Sequence, residues 1–398
     1  MFPKFFNAHV CFLLLQDSIH GIQQQPAQLP AALCGKAVYL RQHEVSIADI
    51  ARIAGVSHTT VSRALRGSAL ISQETRERIS RLASEMGYIP NAIAQSLQTQ
   101  RTKTIGLVVT SIADPFLSDV VKGVEEVARG AEFSVLLSAT HNDPEQEMAV
   151  IETFHRRRVD GILVASSRIT REYQHRLDRI QVPTVLINSQ AESQAEMLHW
   201  VTVDDGMGAR LAVEHLLSLG HRAIGYLGIS SRPKSSKQRL EGYRAALSAA
   251  GIEVRDDWIV MSAGSEASHE EDVAIGQAAL PGLLSSGVSA VFCYNDMTAI
   301  GVLLACREQG IAVPQELSVI GFDDIKMANY VAPALTTVSQ PKLELGRKAA
   351  GVMLDLLENR PGQNHLLQPT LVVRDSTASY TTGAPGAVST KTYSTAEI

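Results

Sequence analysis

The 398-residue sequence has few cysteines and no long apolar run. Its four cysteines, Cys11, Cys34, Cys293 and Cys306, are widely separated and form no CxxC pair. This spacing argues against a disulfide framework and against a zinc site. The twelve histidines form no HExxH motif. A membrane-spanning helix needs about 18 consecutive apolar residues, and no stretch reaches that length, so we expect no membrane partner.

The motifs of common enzyme classes are also missing. The sequence contains no nucleophile elbow, no P-loop and no GxGxxG motif after a strand. Asp323 and Asp324 are adjacent carboxylates, but neighbours on an extended chain point in opposite directions, which does not suit joint acid–base catalysis. We therefore expect a protein that is not an enzyme and that uses no cofactor and no metal.

The two ends of the chain differ from the rest. MFPKFFNAHVCFLLLQ contains an apolar run that faintly resembles a secretory signal, but polar residues interrupt it and Gln16 and Asp17 end it. Gln-rich sequence follows to Pro30. We interpret residues 1–44 as a disordered extension or a mis-called start, and the Ser/Thr/Gly-rich residues 379–398 as a disordered tail.

Residues 45–66, VSIADIARIAGVSHTTVSRALR, contain two short helical patterns. Ser46 can cap the first helix, with Asp49 as its reciprocal partner, and Gly55 can end it. Ser57 can cap the second helix, roughly His58–Leu65. The apolar faces that would pack together comprise Ile47, Ile50, Ala51, Ile53/Ala54, Val61, Ala64 and Leu65.

A third helix is predicted over residues 72–86, capped by Ser72 and stopped by Gly87. Polar and cationic side chains remain on the outer face of the second helix, namely His58, Thr59, Thr60, Ser62, Arg63 and Arg66. The pattern predicts a helix-turn-helix domain over residues 45–90 that enters a major groove. A plain pair of helices with a solvated polar face is the alternative.

Charge is unevenly distributed along the chain. The net charge is −5, yet residues 45–103 contain eight Lys or Arg against four Asp or Glu. This segment is therefore basic and the remainder acidic, which fits a DNA-binding head on a body with another task. A hydrophobic fraction of 45% is normal for a globular protein, and the length predicts two or three domains.

Residues 91–103 are predicted to be a hinge helix and linker. The stretch from Ala92 to Leu97 has an apolar stripe, but a helix this short is marginal alone in water. Two copies packed together on DNA could stabilise it, with Leu97 as an apolar wedge in the minor groove. A simple linker is the alternative.

From residue 104 apolar runs alternate with helical patterns, which predicts parallel sheets covered on both faces. Predicted strands are Thr104–Thr110, Ser134–Ser138, Gly161–Ala165, Thr184–Asn188, Val201–Val203, Ala223–Leu227, Trp258–Met261, Ala290–Tyr294, Ser318–Phe322 and Thr370–Arg374. Predicted helices are Phe116–Ala131, Pro144–Arg157, Glu172–Arg179, Gly208–Leu219, Lys237–Ala250, Ala274–Leu284, Asp296–Gln309 and Leu343–Glu358.

The two series of strands imply two α/β lobes with a ligand cleft between them. We assign residues 104–378 to an effector-binding and dimerisation domain. Its N-lobe is about 104–203 plus 340–368, and its C-lobe about 204–339 plus 369–378. The fold class is thus α/β, with a small all-α helix-turn-helix head and a bilobed body of two parallel lobes.

Residues 45–378 resemble the LacI/GalR (lac repressor) family of bacterial transcription regulators. The resemblance rests on VSIADIARIAGVSHTTVSRALRG, YIPNAIAQSL, IGLVV…DPF, RRVDGILV, VDD…A…HLLSLGHRAIGYLG, RLEGYRAAL, VFCYNDMTAIG and ELSVIGFDDI…PALTTVSQP. It implies a body of the periplasmic sugar-binding type and a homodimer on a near-palindromic operator.

The resemblance also implies roles for residues of the head and hinge. His58, Thr59 and Arg63 match the positions that contact bases, and a guanidinium fork fits guanine. His58-Thr59 differs from the Tyr-Gln pair of the lac repressor, so the operator sequence does not transfer. The hinge positions that touch DNA are Asn91, Ala94 and Leu97. Expected phosphate contacts are Ser46, Ser57, Thr60 and Arg66.

In the body, Asp323 and Arg239 match positions that hold effector hydroxyls by charged hydrogen bonds. Further positions expected in the pocket are Asp114, Phe116, Asn295, Asn188 and Ser166. A facing carboxylate and guanidinium suit a neutral polyol, although a structural salt bridge is the alternative. The family often places a stacking aromatic before the helix at Ala274, and Ser268-His269-Glu270-Glu271-Asp272 contains none.

These observations predict a cytoplasmic repressor whose operator affinity a sugar or similar metabolite changes by about 1–3 kcal/mol. The sign could be reversed if the effector is a corepressor. A solute-binding protein of transport type is the alternative, but residues 45–97 would then have no use. The tail after residue 375 lacks a leucine heptad, so we expect a dimer and not a tetramer.

Overall fold

The computed structural model describes residues 45–89, 96, 101–141, 143–165, 180–189, 198–230, 232–263 and 269–380. The chain divides into two compact units, residues 1–90 and residues 91–398. None of the helices in these described ranges is both long and apolar enough to cross a membrane. The predicted helix Glu172–Arg179 lies outside the described residues.

The first unit contains three helices, α1 (Ile47–Ala54), α2 (His58–Leu65) and α3 (Gln73–Glu85). The predicted reciprocal cap of α1 is confirmed, because the Ser46 hydroxyl accepts from the Asp49 N–H and the Asp49 carboxylate accepts from the Ser46 N–H. These bonds, together with Arg52, lower the pKa of Asp49 to about 2. Gly55 ends α1 with φ of 66°, as expected for a left-handed cap.

The core of this unit comprises Ile50, Ala51, Val61, Ala64, Ile79 and Ala83. The prediction that Ile53 shares the apolar face of α1 is wrong, since Ile53 is 55% exposed. Ala54, one position later, is half-buried instead. Ser57 and Ser72 cap α2 and α3 as predicted.

The second unit contains twelve strands among the described residues. They are β1 (Thr104–Val109), β2 (Ser134–Ala139), β3 (Gly161–Ala165), β4 (Thr184–Ile187), β5 (Leu198–Val203), β6 (Ile224–Ile229), β7 (Ile259–Ser262), β8 (Ala290–Cys293), β9 (Ser318–Asp323), β10 (Thr336–Ser339), β11 (His365–Leu367) and β12 (Thr370–Val372). The helices are α4 (Pro115–Gly130), α5 (Pro144–Arg156), α6 (Asp205–Ser218), α7 (Pro233–Ala249), α8 (His269–Ser285), α9 (Asp296–Gln309) and α10 (Lys342–Leu357).

The strands form two six-stranded sheets. The first has the order β11-β5-β4-β3-β1-β2 and the second β12-β10-β9-β8-β6-β7. All pairs are parallel except β10 with β12, which is antiparallel. The chain therefore passes between the sheets three times, after β5, after β10 and after β11. Ligands of such sheets bind beyond the carboxyl ends of the strands.

Several boundaries differ from the predictions. Trp258 belongs to a 3-10 turn, Asp256–Trp258, and not to strand β7, while the last strand ends at Val372. The short strands β10 and β11 were not predicted at all. Both are edge or near-edge strands of four and three residues, which is too short for a period-2 pattern to stand out.

Glycines allow two helix pairs, α4 with α10 and α8 with α9, to cross closely. A Cβ on Gly123 of α4 would overlap the Leu343 carbonyl oxygen of α10, and a Cβ on Gly346 of α10 would overlap the Val120 carbonyl oxygen of α4. Gly276 and Gly301 are placed in the same way where α8 crosses α9. Only glycine permits backbones to approach this closely, so these crossings are fixed by the sequence.

Candidate functional site

The outer face of α2 presents the predicted DNA-binding side chains. His58, Thr59 and Arg63 are exposed, while Thr60 is half-buried. Ser57 and Thr60 also stabilise the start of α2, because the Ser57 hydroxyl accepts from the Thr60 N–H at 3.1 Å. Their hydroxyls lie 2.8 Å apart.

Of the other residues predicted to contact DNA, Ser46 and Arg66 are described and the hinge residues are not. Ser46 is exposed and its hydroxyl donates to Asp49 at 2.7 Å. Arg66 is exposed and its Nε donates to the Ser62 carbonyl oxygen at 3.0 Å. The predicted hinge residues Asn91, Ala94 and Leu97 lie outside the described residues.

In the second unit, a cluster of charged side chains lies at the carboxyl ends of the strands of the second sheet. Asp323 is the last residue of β9, and Tyr294 follows β8 directly. Asp205 begins α6, and Arg239 lies on α7. The parallel topology brings these elements together, since parallel strands end at one edge of their sheet.

Arg239 is the centre of this cluster. Its side chain is 3% exposed, its Nε donates to Asp205 at 2.8 Å, and its Nη1 donates to the backbone oxygen of Tyr294. The guanidinium carbon lies 3.6 Å from the centre of the Phe322 ring. Burial alone would lower the pKa of Arg239, but Asp205, Tyr294 and Asp323 together raise it above its ordinary value. The group is therefore a fixed cation.

The remaining nitrogen of Arg239 faces Asp323. Arg239 Nη2 lies 3.9 Å from Asp323 Oδ1, which is longer than a hydrogen bond. The Asp323 oxygen instead accepts from Gln340 Nε2 at 2.6 Å. Burial and the charge of Asp114 raise the pKa of Asp323 to about 6, against the opposing effects of Arg239, Lys342 and Gln340.

The backbone around Asp323 is unusual. Asp323 and Asp324 have φ values of 117° and 55°, which cost energy for residues with a side chain. The Lys342 ammonium donates to both carbonyl oxygens, to that of Asp324 at 2.8 Å. Arg374 donates to the Asp324 carboxylate at 2.5 Å. These cations hold the turn and so fix the direction of Asp323.

Besides Asp205, two charged residues of the cluster, Arg232 and Asp272, were not predicted from the sequence. The pKa of Arg232 is raised despite burial, because Tyr294, Asp272, Asp114 and Asp323 surround it. Asp272 accepts from Asn295 Nδ2 at 2.8 Å and lies in the stretch where the family often has an aromatic. Neither lies in a motif with recognisable spacing, so only the fold could reveal them.

The other predicted effector residues are placed as follows. Asp114 and Phe116 are buried at the start of α4, where the Asp114 carboxylate accepts from the Phe116 N–H at 2.8 Å. Asn295 caps α9 and uses both amide atoms within the protein. Asn188 follows β4 with φ of 53°, and its buried Oδ1 has no hydrogen-bond partner. Ser166 lies outside the described residues.

Near this cluster, an ion pair links the lobe of the first sheet to the lobe of the second sheet. Lys326, in the 3-10 turn Lys326–Asn329 after β9, lies 4.0 Å from Asp119 of α4. Asp114 precedes the same helix and is close enough to influence Asp323. The start of α4 therefore lies beside the charged cluster of the second sheet. No group of His, Cys, Asp or Glu within the described residues could hold a metal ion.

Comparisons with known proteins agree with this architecture. The periplasmic binding protein-like domain family matches residues 213–377, and the bacterial regulatory proteins of the lacI family match residues 46–91. The ribose operon repressor of Haemophilus influenzae is 36% identical over 336 residues, covering 82% of this chain and 97% of that protein. The chain belongs to the LacI family.

A second LacI family relative is the transcriptional regulator GalS of Salmonella typhimurium, 39% identical over 345 residues, covering 84% of this chain and 97% of GalS. The crystal structure of the lac repressor dimer bound to operator and the anti-inducer ONPF has a TM-score of 0.73. It is 27% identical and covers 84% of this chain and 99% of its own.

These LacI family relatives are regulators, not enzymes. The chain is likewise a DNA-binding transcriptional regulator, with a helix-turn-helix head and a periplasmic binding protein-like body. The sequence-based predictions of family, fold class and general function are confirmed.

Proposed function

We propose that this regulator is a repressor whose operator affinity is controlled by a small neutral sugar in the cleft between its lobes. The observation that carries the proposal is the pair Arg239 and Asp323. Arg239 Nη2 and Asp323 Oδ1 are 3.9 Å apart and lie at the strand ends. A sugar hydroxyl accepts from a guanidinium and donates to a carboxylate, so one hydroxyl can bridge the two.

The charge balance of the cluster favours a neutral ligand. The guanidiniums of Arg232 and Arg239 face at least three carboxylates, those of Asp114, Asp205 and Asp323. Among the described residues, Lys342 is a third cation of the cluster and Asp272 a fourth carboxylate, so the cations do not outnumber the carboxylates. An anionic ligand would add to this acidic excess, and burying an unpaired anion is expensive. The relative named ribose operon repressor supports a sugar as the effector class.

The DNA-binding half of the proposal concerns α2 and the hinge. We propose that His58, Thr59 and Arg63 contact bases, that Ser46, Ser57, Thr60 and Arg66 contact phosphates, and that Asn91, Ala94 and Leu97 act in the minor groove. The exposure of His58, Thr59 and Arg63 supports this assignment. We further propose that residues 45–90 form the DNA-binding head, residues 91–103 the hinge and linker, and residues 104–378 the effector-binding domain. The proposed location is the cytoplasm, where a bacterial regulator has access to DNA.

We also propose that the operator is near-palindromic and that the protein binds it as a homodimer. Ile112, before α4, is 72% exposed, and Tyr330, after the 3-10 turn that carries Lys326, is 76% exposed. The ion pair between Asp119 and Lys326 places these two segments near each other. Exposed apolar side chains grouped in this way favour a protein partner. Light scattering is expected to give the mass of two chains, and a monomer or a tetramer would contradict the proposal.

Effector binding is tested by calorimetry on the full chain with pentoses, hexoses and purine bases. At least one neutral sugar is expected to bind, and Asp323→Asn is expected to weaken binding at least about tenfold, by loss of a charged acceptor. Asp375→Asn, an exposed position outside the cluster, is the matched control and is expected to change nothing. Binding of anionic ligands only, or equal binding by Asp323→Asn, would contradict the proposal.

A further inference from the structure

Basic side chains are concentrated at the amino-terminal edge of the first sheet, where β1 and β3 begin. We call this group the basic edge, and it consists of Arg101, Lys103, His155, Arg156, Arg157 and Arg158. The protein as a whole has a net charge of −5, and its sequence after residue 103 is acidic overall, so a basic group beside β3 stands out in this part of the chain. Such a concentration of one sign on one edge creates a local positive field.

An open hollow of about 350 Å³ lies at the basic edge. It is lined by Arg101, His155 and Arg158 and by the apolar residues Val182, Pro183 and Leu357. Arg101 is held in place by its hydrogen bond to the Leu357 carbonyl oxygen at 2.6 Å. Arg158 has φ of 56°, a costly conformation for a residue with a side chain.

The one carboxylate in the lining, Asp160, does not neutralise these cations. Its Oδ1 accepts from the Thr102 N–H at 2.8 Å and from the Thr102 hydroxyl at 3.1 Å. Its Oδ2 accepts from the Lys103 N–H at 2.8 Å. Asp160 therefore fixes the chain just before β1 through neutral donors, and its single negative charge offsets only one of the positive charges of the basic edge.

Stabilisation of a helix end explains only part of the basic edge. His155 and Arg156 lie in the last turn of α5, where cations are favoured by the helix dipole. Arg157 and Arg158 lie beyond that turn, and both are exposed, as are Arg101 and Lys103. A small-ligand site buries most of its ligand among a few enclosed polar groups, whereas exposed cations spread over an edge suit a polyanion.

We propose that the basic edge binds backbone phosphates of the DNA that flanks the sequence recognised by the head. In the sequence, Arg101 and Lys103 follow the predicted hinge and directly precede β1. The contact adds affinity without sequence preference, because phosphates are alike in every sequence. It extends the DNA-binding surface beyond residues 45–97.

The salt dependence of DNA binding tests this proposal on the full chain. Affinity for a random-sequence duplex is measured by fluorescence anisotropy from about 50 to about 200 mM KCl. The slope of log K against log salt is negative, and each lost phosphate contact reduces its magnitude by about 0.9. Arg157→Ala/Arg158→Ala is therefore expected to reduce this magnitude by about two. The same reduction is expected on an operator duplex selected from a random pool.

The matched control is Arg244→Ala/Arg307→Ala, which removes the same charge from exposed positions on α7 and α9. This control is expected to keep the wild-type slope. An equal reduction in the control, or no reduction in Arg157→Ala/Arg158→Ala, would overturn the proposal. It would also be overturned if the slopes stayed equal while inorganic phosphate raised the Tm of the wild type but not of Arg157→Ala/Arg158→Ala.

Discussion

The surroundings of Asp323 favour the protonated form of its carboxyl group. Its side chain is 13% exposed, and burial together with Asp114 raises its pKa to about 6 despite Arg239. The unfolded chain releases this proton near pH 4. Between about pH 4 and about pH 6 the folded protein therefore holds a proton that the unfolded chain has lost, so this group reduces stability as the pH rises.

Asp323→Asn removes this titration while keeping the shape of the side chain. Its free energy of unfolding relative to wild type is expected to increase from about pH 4 to about pH 7.5, because only the wild type loses stability over that range. Urea unfolding at both pH values measures the difference. Asp375→Asn, which removes an exposed carboxylate outside the cluster, is the matched control. A pH-independent effect of Asp323→Asn would show that Asp323 has an ordinary pKa.

Among single residues of the charged cluster, those that lie in recognisable motifs could be predicted from the sequence. Arg239 in QRLEGY and Asp323 in GFDD are recognisable, and the structure brings them together. Asp205 and Gln340, which hydrogen-bond to them, are 34 and 17 residues away along the chain. Such pairs have no local pattern, because only the packing of α6 on α7 and the parallel pairing of β10 with β9 bring them together.

At the scale of elements, helix caps were predictable and short strands were not. Ser46, Ser57 and Ser72 all cap the helices that follow them, because a cap depends on residues three positions apart. Strands β10 and β11 gain their hydrogen bonds from partners more than ten residues distant, as in the pairing of His365 with Val201. Their few residues contain too little information to predict that pairing.

The crossing of α4 and α10 depends on glycine. Gly346→Ala is expected to destabilise the protein by about 1–3 kcal/mol, since the new Cβ would overlap the Val120 carbonyl oxygen and push the helices apart. Gly351→Ala, in the same helix, meets open space and is expected to be neutral or to stabilise by about 0.5–1 kcal/mol. Urea unfolding of both variants measures this contrast, and equal effects would contradict the close crossing.

Arg63 of α2 and Arg66, which follows it, are expected to contribute to DNA binding in different ways. Arg63→Ala is expected to cost about 1–3 kcal/mol on an operator selected from a random pool and little on random DNA, because a base contact is lost. Arg66→Ala is expected to weaken both to the same degree, as a phosphate contact would. Anisotropy titrations on the two duplexes measure these losses. Equal losses on both DNAs for Arg63→Ala would assign Arg63 to the backbone.

At the scale of the whole molecule, the uneven charge along the sequence anticipated a basic head on an acidic body. The alternation of strands and helices anticipated two sheets, and the structure has two six-stranded sheets. The chain passes between them three times, and an ion pair between Lys326 and Asp119 joins their two halves. A ligand that contacts both halves can therefore change how they are held together, which is the physical basis for coupling to DNA.

The most direct test measures operator affinity by fluorescence anisotropy, with and without a saturating amount of the sugar found by calorimetry. The sugar is expected to weaken operator binding by about 1–3 kcal/mol, roughly 5- to 150-fold, in the wild type. A smaller change is expected in Asp323→Asn at the same sugar concentration, because this variant binds the sugar at least about tenfold less tightly. If the sugar binds the wild-type protein by calorimetry and leaves its operator affinity unchanged, control of DNA binding through the cleft is contradicted.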